Sequence, residues 1–454
     1  MFENYYKSII ALFLFSSVGH AYATTLQEAV NAASTYDAGI NAARFSKEAG
    51  NEKFDQGVAG LLPSIGVESS YTKQDQPHAS YGAEVKRHSY GLNITQPLFD
   101  MSRIAALKQG MVIADMADVE FYAAQQKLIV DVSDAFFQVL YQREVLQATR
   151  AASQAFGQQL GQAKAALRLG DSTRTDVDEA QANYDAALAK EIANRNDLEV
   201  ANGLYQRLTG LSADEISPIN SSCVRTNIPT DLKVVMDDAV KNNLDVQTAQ
   251  FQLKKADTDV LAATSAHLPV VSLQGSYGGN WSRGEGENAL DEVFGTTSKT
   301  RNTMVGINVS MPIFQGGGQL SQSREALYRR EQAKNNLQDT QRKVKQDARS
   351  AYLGITNGLA LLRAQQKAAI SAKNKVNSTQ YGHELGLRTI VDELTAQQNY
   401  YESLRAISEA RFKYLTSILE LSHVSGRLNY EQLSEFNCSD YSKDTGNKQK
   451  MDEL

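Results

Sequence analysis

Residues 92–99 read LNITQPLF and residues 307–314 read INVSMPIF, 215 positions later. A second pair, LPSIGV at 62–67 and LPVVSL at 268–273, recurs at a spacing of 206. Gly170 and Gly386, Asp176 and Asp392, and Asn183 and Asn399 each lie 216 apart. Ordered self-similarity of this kind marks a duplicated unit and constrains the fold before any local propensity does. It predicts two copies of one unit, 24–210 and 232–426, joined by 211–231 and followed by 427–454. The change in spacing puts about nine extra residues in the loop between the two strands of the second copy.

Each copy changes periodicity along its length. In Ser64–Thr72 the residues Ile65, Val67, Ser69 and Tyr71 alternate with Gly66, Glu68, Ser70 and Thr72. In Ser89–Gln96 the residues Tyr90, Leu92 and Ile94 alternate with Gly91, Asn93 and Thr95. The second copy repeats both patterns, with Val271, Leu273 and Tyr277, then Val305, Ile307 and Val309. A period of two predicts strands with one apolar and one polar face. Such strands suit an outer-membrane barrel or a soluble sandwich. The remainder predicts helix. Met101–Leu169 contains no proline and would run about 100 Å at 1.5 Å per residue. Leu26–Gly60 and Thr173–Thr209 are each about half as long, so one long helix packs against two shorter ones end to end. Gln319–Leu385, Leu232–His267 and Thr389–Ser425 repeat the arrangement. Four of the seven prolines, Pro63, Pro97, Pro269 and Pro312, fall where strand should meet helix. Four strands cannot close a barrel alone, and open edges are not tolerated in lipid. Strands that span a membrane would therefore need several chains to share one barrel.

A formal net charge of −6 argues against a nucleic-acid binder. Lys7, the apolar run Ile9–Val18 and Ala21-Tyr22-Ala23 predict a secretory signal peptide over residues 1–23. Beyond it the sequence holds no apolar run of the ~18 residues a spanning helix needs. The C-terminal Met-Asp-Glu-Leu reads as the chance end of a polar tail from Ser439. Cys223 and Cys438 occupy nearly equivalent repeat positions, where an oxidising compartment would permit a disulfide. Arg283–Asp291 reads as an acidic, solvated outer loop. Gly316-Gly317-Gly318 lacks the Lys-Ser/Thr of a phosphate loop and reads as a flexible strand-to-helix joint. The histidines show no metal spacing, and no nucleophile elbow is present, so neither a cofactor nor an enzymatic activity is expected.

LNITQPLFDMSR and VSMPIFQGGG after the strands, HLPVVSL before one, and the GLRTIVD turn at 386–392 resemble the TolC family. The resemblance covers about 24–435. It implies a mixed α/β membrane protein with long α-helices in a periplasmic coiled-coil barrel. Four antiparallel β-strands per chain would contribute to a twelve-stranded β-barrel shared by a homotrimer in the outer membrane. It implies an exit duct for tripartite multidrug efflux pumps and type I secretion systems. The implied partners are a periplasmic adaptor (membrane fusion) protein, an inner-membrane transporter of RND, ABC or MFS type, and outer-membrane lipid. Residues 211–231 and those after Gly426 would form an equatorial belt. Arg388 matches the family's gate arginine, and Thr175 and Asp176 match its partners. Asp392 matches an aspartate that rings the pore constriction and binds cations. His383 stands where the family has a gate tyrosine, and Thr395 where it has a second acidic ring position. The lock would then be weaker or pH-sensitive, with three ring charges instead of six.

The same turns read simply as helix ends. Thr173-x-x-Asp176 and Thr389-x-x-Asp392 are capping boxes that follow the C-capping glycines Gly170 and Gly386. Capping does not account for Arg388, and His383 also reads as a plain surface histidine. A structural or adhesive surface protein built on the same helices is the other functional class. It would need long exposed loops or added domains.

Overall fold

The computed structural model describes residues 24–75, 84–219, 231–284 and 298–436. The expected signal peptide, Cys223, Cys438, most of the acidic 283–291 loop and the tail from Ser439 lie outside the described residues.

The first half runs α1 (Leu26–Tyr36), α2 (Ala38–Ala59), β1 (Ser64–Asp75), β2 (Glu84–Phe99), α3 (Met101–Leu169) and α4 (Arg174–Thr209). The second half repeats that order as α5 (Leu232–Asn242), α6 (Leu244–Ser265), β3 (Val270–Gly284), β4 (Ser298–Ser310), α7 (Gly318–Glu384) and α8 (Ile390–Val424). The 69-residue α3 and 67-residue α7 are unbroken, as their lack of proline predicts.

The expected helices 26–60 and 232–267 are each two helices. At Asp37 the backbone turns to an extended ψ of 127°. Its N–H donates to the Ala33 carbonyl at 2.8 Å and closes α1, while its Oδ1 accepts from the Ile40 N–H at 3.0 Å and opens α2. Asn243 makes the equivalent break (ψ 133°) and donates through Nδ2 to the Val424 carbonyl at 3.0 Å. Short polar side chains offer the backbone partners that helix propagation would otherwise supply, so a single Asp or Asn divides a helix whose apolar pattern continues.

The four strands form one antiparallel sheet in the order β1-β2-β3-β4. Register places Ile65 opposite Ile94, Val67 opposite Leu92, Leu92 opposite Tyr277, and Leu273 opposite Ile307. The residues expected to share an apolar face do share one. That face is uncovered by this chain: Val67 is 79% exposed, Val305 75% and Ile307 66%. Tyr71, His88 and Trp281 stack across it near the strand ends, with ring centroids 4.6 and 5.1 Å apart. The opposite face is polar, with Ser70 and Ser89 hydroxyls 2.7 Å apart and Arg87 donating to Gln74. Pro97 lies inside β2, not at its end, where a register shift between Pro97 and Phe99 accommodates its missing N–H.

The two strand-to-helix joints differ. After β2 the single residue Asp100 leads into α3, accepting from the Ser102 N–H at 3.0 Å and pairing with Arg103 at 3.2 Å. After β4 seven residues intervene before α7, among them Gly316 and Gly317 at φ 62° and 84°.

The chain divides into two compact units, each drawn from both halves of the sequence. One comprises Ala43–Tyr122 and Leu244–Arg342 and holds the sheet. The other comprises residues up to Ala42, Ala123–Asn243 and those from Lys343 onward. Its core includes Phe136, Phe137, Tyr205, Leu415 and Phe412. Glu144 on α3 ties to α8 through the Arg411 guanidinium at 2.6 Å and the Ser408 hydroxyl at 2.5 Å. In the same unit the segment after α4 runs beside the residues before α1, where the Ser217 N–H donates to the Thr24 carbonyl at 2.9 Å.

Asn243 is 4% exposed and holds a carbonyl at the end of α8. Asn243→Ala leaves a buried polar partner unmet, so it should lower stability by about 1–3 kcal/mol, read as a lower urea midpoint with unchanged slope.

Candidate functional site: the two helix turns

Both turns are built by the same local chemistry. Gly170 ends α3 at φ 86°, with the Asp171 N–H donating to the Ala166 carbonyl at 2.9 Å. Gly386 follows α7 at φ 71°, with the Leu387 N–H donating to the Gly382 carbonyl at 2.7 Å. Left-handed glycines let each chain reverse and satisfy the last carbonyls of the long helix. Thr173 then caps α4. Its hydroxyl accepts from the Asp176 N–H at 3.2 Å, and Asp176 Oδ2 accepts from the Thr173 N–H at 2.8 Å. Thr389 and Asp392 repeat the box at 3.2 and 3.1 Å.

These bonds govern the titration of both aspartates. The Thr173 backbone N–H, its hydroxyl and Ser172 hold the Asp176 carboxyl below the usual aspartate range, and His383 adds a smaller pull. The Thr389 backbone N–H and hydroxyl do the same for Asp392, with Arg388 and Lys375 contributing. A depressed carboxyl stabilises the fold above the unfolded value and loses that contribution as pH falls through the folded one.

Apolar packing draws the turns together. Leu160, Ala163, Val177 and Ala180 form one cluster, and Ala152, Phe156, Ala187 and Leu394 a second. Tyr184 of α4 and Ile390 of α8 pack against both. The tips stay bare: Leu169 is 78% exposed and Leu387 77%.

The expected gate residues are distributed unevenly. His383 Nδ1 lies 2.8 Å from Glu393 Oε2. Arg388 is exposed and folds over Gly382, where an added Cβ would stand 2.7 Å from Arg388 Cγ. Among the described residues it forms no ion pair with Asp176 of its own chain. Thr175 is exposed beside Asp176. Thr395 spends its hydroxyl on the Val391 carbonyl at 2.7 Å. Sequence reasoning missed Glu393, which is 8% exposed and accepts from Gln159 Nε2 at 3.0 Å. The available signal was its place three residues after Ile390, beside the apolar stripe of α8.

Elsewhere α3, α4 and α8 border an open cleft of about 830 Å³, lined in part by Asp134, Arg207, Arg405, Glu409 and Lys413. Burial pushes the Asp134 carboxyl up, with Glu420 and Asp131 adding to it. No metal-binding cluster occurs among the described residues. No helix among them is long and apolar enough to cross a membrane.

A sheet with one bare apolar face and one polar face, joined to helices of nearly seventy residues, suits an outer-membrane channel subunit. The chain belongs to the outer membrane efflux protein family, whose model matches residues 29–210 and 235–427. It is 31% identical over 398 residues to Outer membrane protein TolC of Escherichia coli, covering 86% of this chain and 80% of that protein. It is 28% identical to Alkaline protease secretion protein AprF of Pseudomonas aeruginosa, covering 91% and 86%. Among solved structures it resembles the Campylobacter jejuni CmeC outer membrane channel, with a TM-score of 0.75 at 18% identity over 91% of this chain and 90% of that one. The protein is an outer-membrane efflux channel.

Thr173→Ala and Thr389→Ala should each cost about 1 kcal/mol of local stability, seen as faster hydrogen exchange in the first turn of α4 or α8. In the unmodified protein that protection should be lost in acid, as pH falls from the ordinary aspartate value through the depressed values of Asp176 and Asp392.

Proposed function

We propose that three copies of this chain close one twelve-stranded barrel and form a passive exit duct gated at the paired turns. The open outer edges of β1 and β4 carry this reading. In the alternating sheet these strands are antiparallel to each other, so β4 of one copy can pair with β1 of the next in the sense already present in the sheet. The bare apolar face then meets lipid and the polar face lines the lumen. A secretory signal over 1–23, repeats over 24–210 and 232–426, and an equatorial belt from 211–231 and the residues after 426 complete the organisation.

In this assembly Arg388 engages Thr175 and Asp176 of a neighbouring copy, which accounts for its lack of an ion pair with Asp176 in its own chain. Asp392, repeated three times, forms the cation-binding constriction, and His383 holds each turn from within. The exposed Leu169, Leu385 and Leu387 suit a periplasmic adaptor, which couples the duct to an inner-membrane transporter of RND, ABC or MFS type. Likeness to AprF and to Proteases secretion protein PrtF favours protein export as one use, alongside multidrug efflux.

In planar bilayers the wild-type trimer should show a small conductance that rises severalfold when Arg388→Ser is combined with Asp176→Ala. Unchanged conductance would leave Asp176 as a helix cap and Arg388 without a gating role. Ile307→Arg should cut folding into vesicles by the roughly 2–4 kcal/mol a mid-bilayer arginine costs, while Asn93→Arg on the polar face should fold near wild-type yield. Equal yields of the two variants would reverse the assignment of faces.

A further inference from the structure

Glu393 is a nearly buried carboxylate that the capping chemistry does not use. Three helices converge on it. It belongs to α8, Gln159 of α3 donates to its Oε1 at 3.0 Å, and His383 at the end of α7 meets its Oε2 at 2.8 Å. Gln397, one turn further along α8, reaches the same Oε1 at 3.5 Å. The carboxylate therefore has polar partners on both oxygens, and the only one that can change charge is the imidazole.

Asp176 of the other turn, held low first by the Thr173 bonds, feels the charge of His383 as well. The ring therefore bonds one carboxylate directly and acts on a second, at the start of α4, through its charge. Charged groups on the same turn are Glu384, its chain neighbour, Arg388, which folds over Gly382, and Asp392, the chain neighbour of Glu393. α3 presents the neutral Gln159.

We propose that His383 is an acid-strengthened clamp between the two turns, with Glu393 as the residue that positions it. The proposal rests on the gated-duct reading and adds its regulation. A protonated imidazole forms a charge-assisted hydrogen bond to Glu393 and attracts Asp176. A neutral imidazole with its proton on Nδ1 still donates to the Glu393 carboxylate but loses its own charge and with it the attraction to Asp176. Histidines change charge between about pH 5 and 8, within the range an exposed compartment experiences. Mild acid would hold the turns together, and mild alkali would loosen them.

Single-channel recording tests this. From about pH 5.5 to 8 the opening frequency of the wild-type trimer should rise about fivefold, as the donor of the bond to Glu393 loses its charge. His383→Phe and Glu393→Gln should each open often at both values, with that pH dependence gone. A wild-type slope retained in His383→Phe overturns the proposal. Hydrogen-exchange protection of the amides at 386–389, corrected for the intrinsic pH effect, gives a readout that needs no current. Protection should be greater at the lower pH in wild type and low throughout in both variants. If protection in the variants follows wild type, the clamp is refuted. If protection behaves as expected while no trimer conducts, the clamp stands and the duct reading fails.

Discussion

The structure depends on where the backbone groups at two strand edges find hydrogen bonds. β1 and β4 each have one neighbour within the chain, and in hydrocarbon an unmet N–H or C=O costs several kcal/mol. Helices avoid that demand by bonding internally, and a sheet avoids it only by closing. A four-stranded sheet with a bare apolar face is therefore an incomplete object that specifies its own completion. The duplicated sequence fits this logic. Each copy supplies one hairpin, and the antiparallel junction between β2 and β3 is chemically the same kind of junction as the one the proposed barrel would use between chains.

The helical part solves a different problem. A helix of nearly seventy residues buries too little of its own surface to stand alone, so α3 draws stability from the helices beside it. The contacts that hold it are modest and spread out: Glu144 with Arg411 and Ser408, Ser153 with Glu191, and the small clusters around Tyr184 and Ile390.

Much of this was legible in the sequence, for identifiable reasons. The bounds of α3 followed from the absence of proline between Met101 and Leu169. The sheet faces followed from a strict period of two that pairing preserves. The breaks at Asp37 and Asn243 were not anticipated, because one capping side chain divides a helix without disturbing its apolar period. Pro97 was placed at a strand end because its missing N–H argues for one, whereas a register shift removes the conflict inside the strand. The capping boxes around Asp176 and Asp392 are local and could be read directly. Glu393 carried only the weak signal of its place beside the apolar stripe of α8, since its partners Gln159 and His383 come from α3 and α7.

The unlike joints between sheet and helices carry a mechanical consequence. Asp100 bonds Ser102 and Arg103, and Arg103 reaches back to the Gly60 carbonyl at 2.5 Å, so the passage from β2 into α3 is braced on three sides. The passage from β4 into α7 runs through two left-handed glycines whose rotation meets little steric resistance. The two halves of a chain that began as copies thus part company at the joint between strand and helix, one pinned and the other free to swivel.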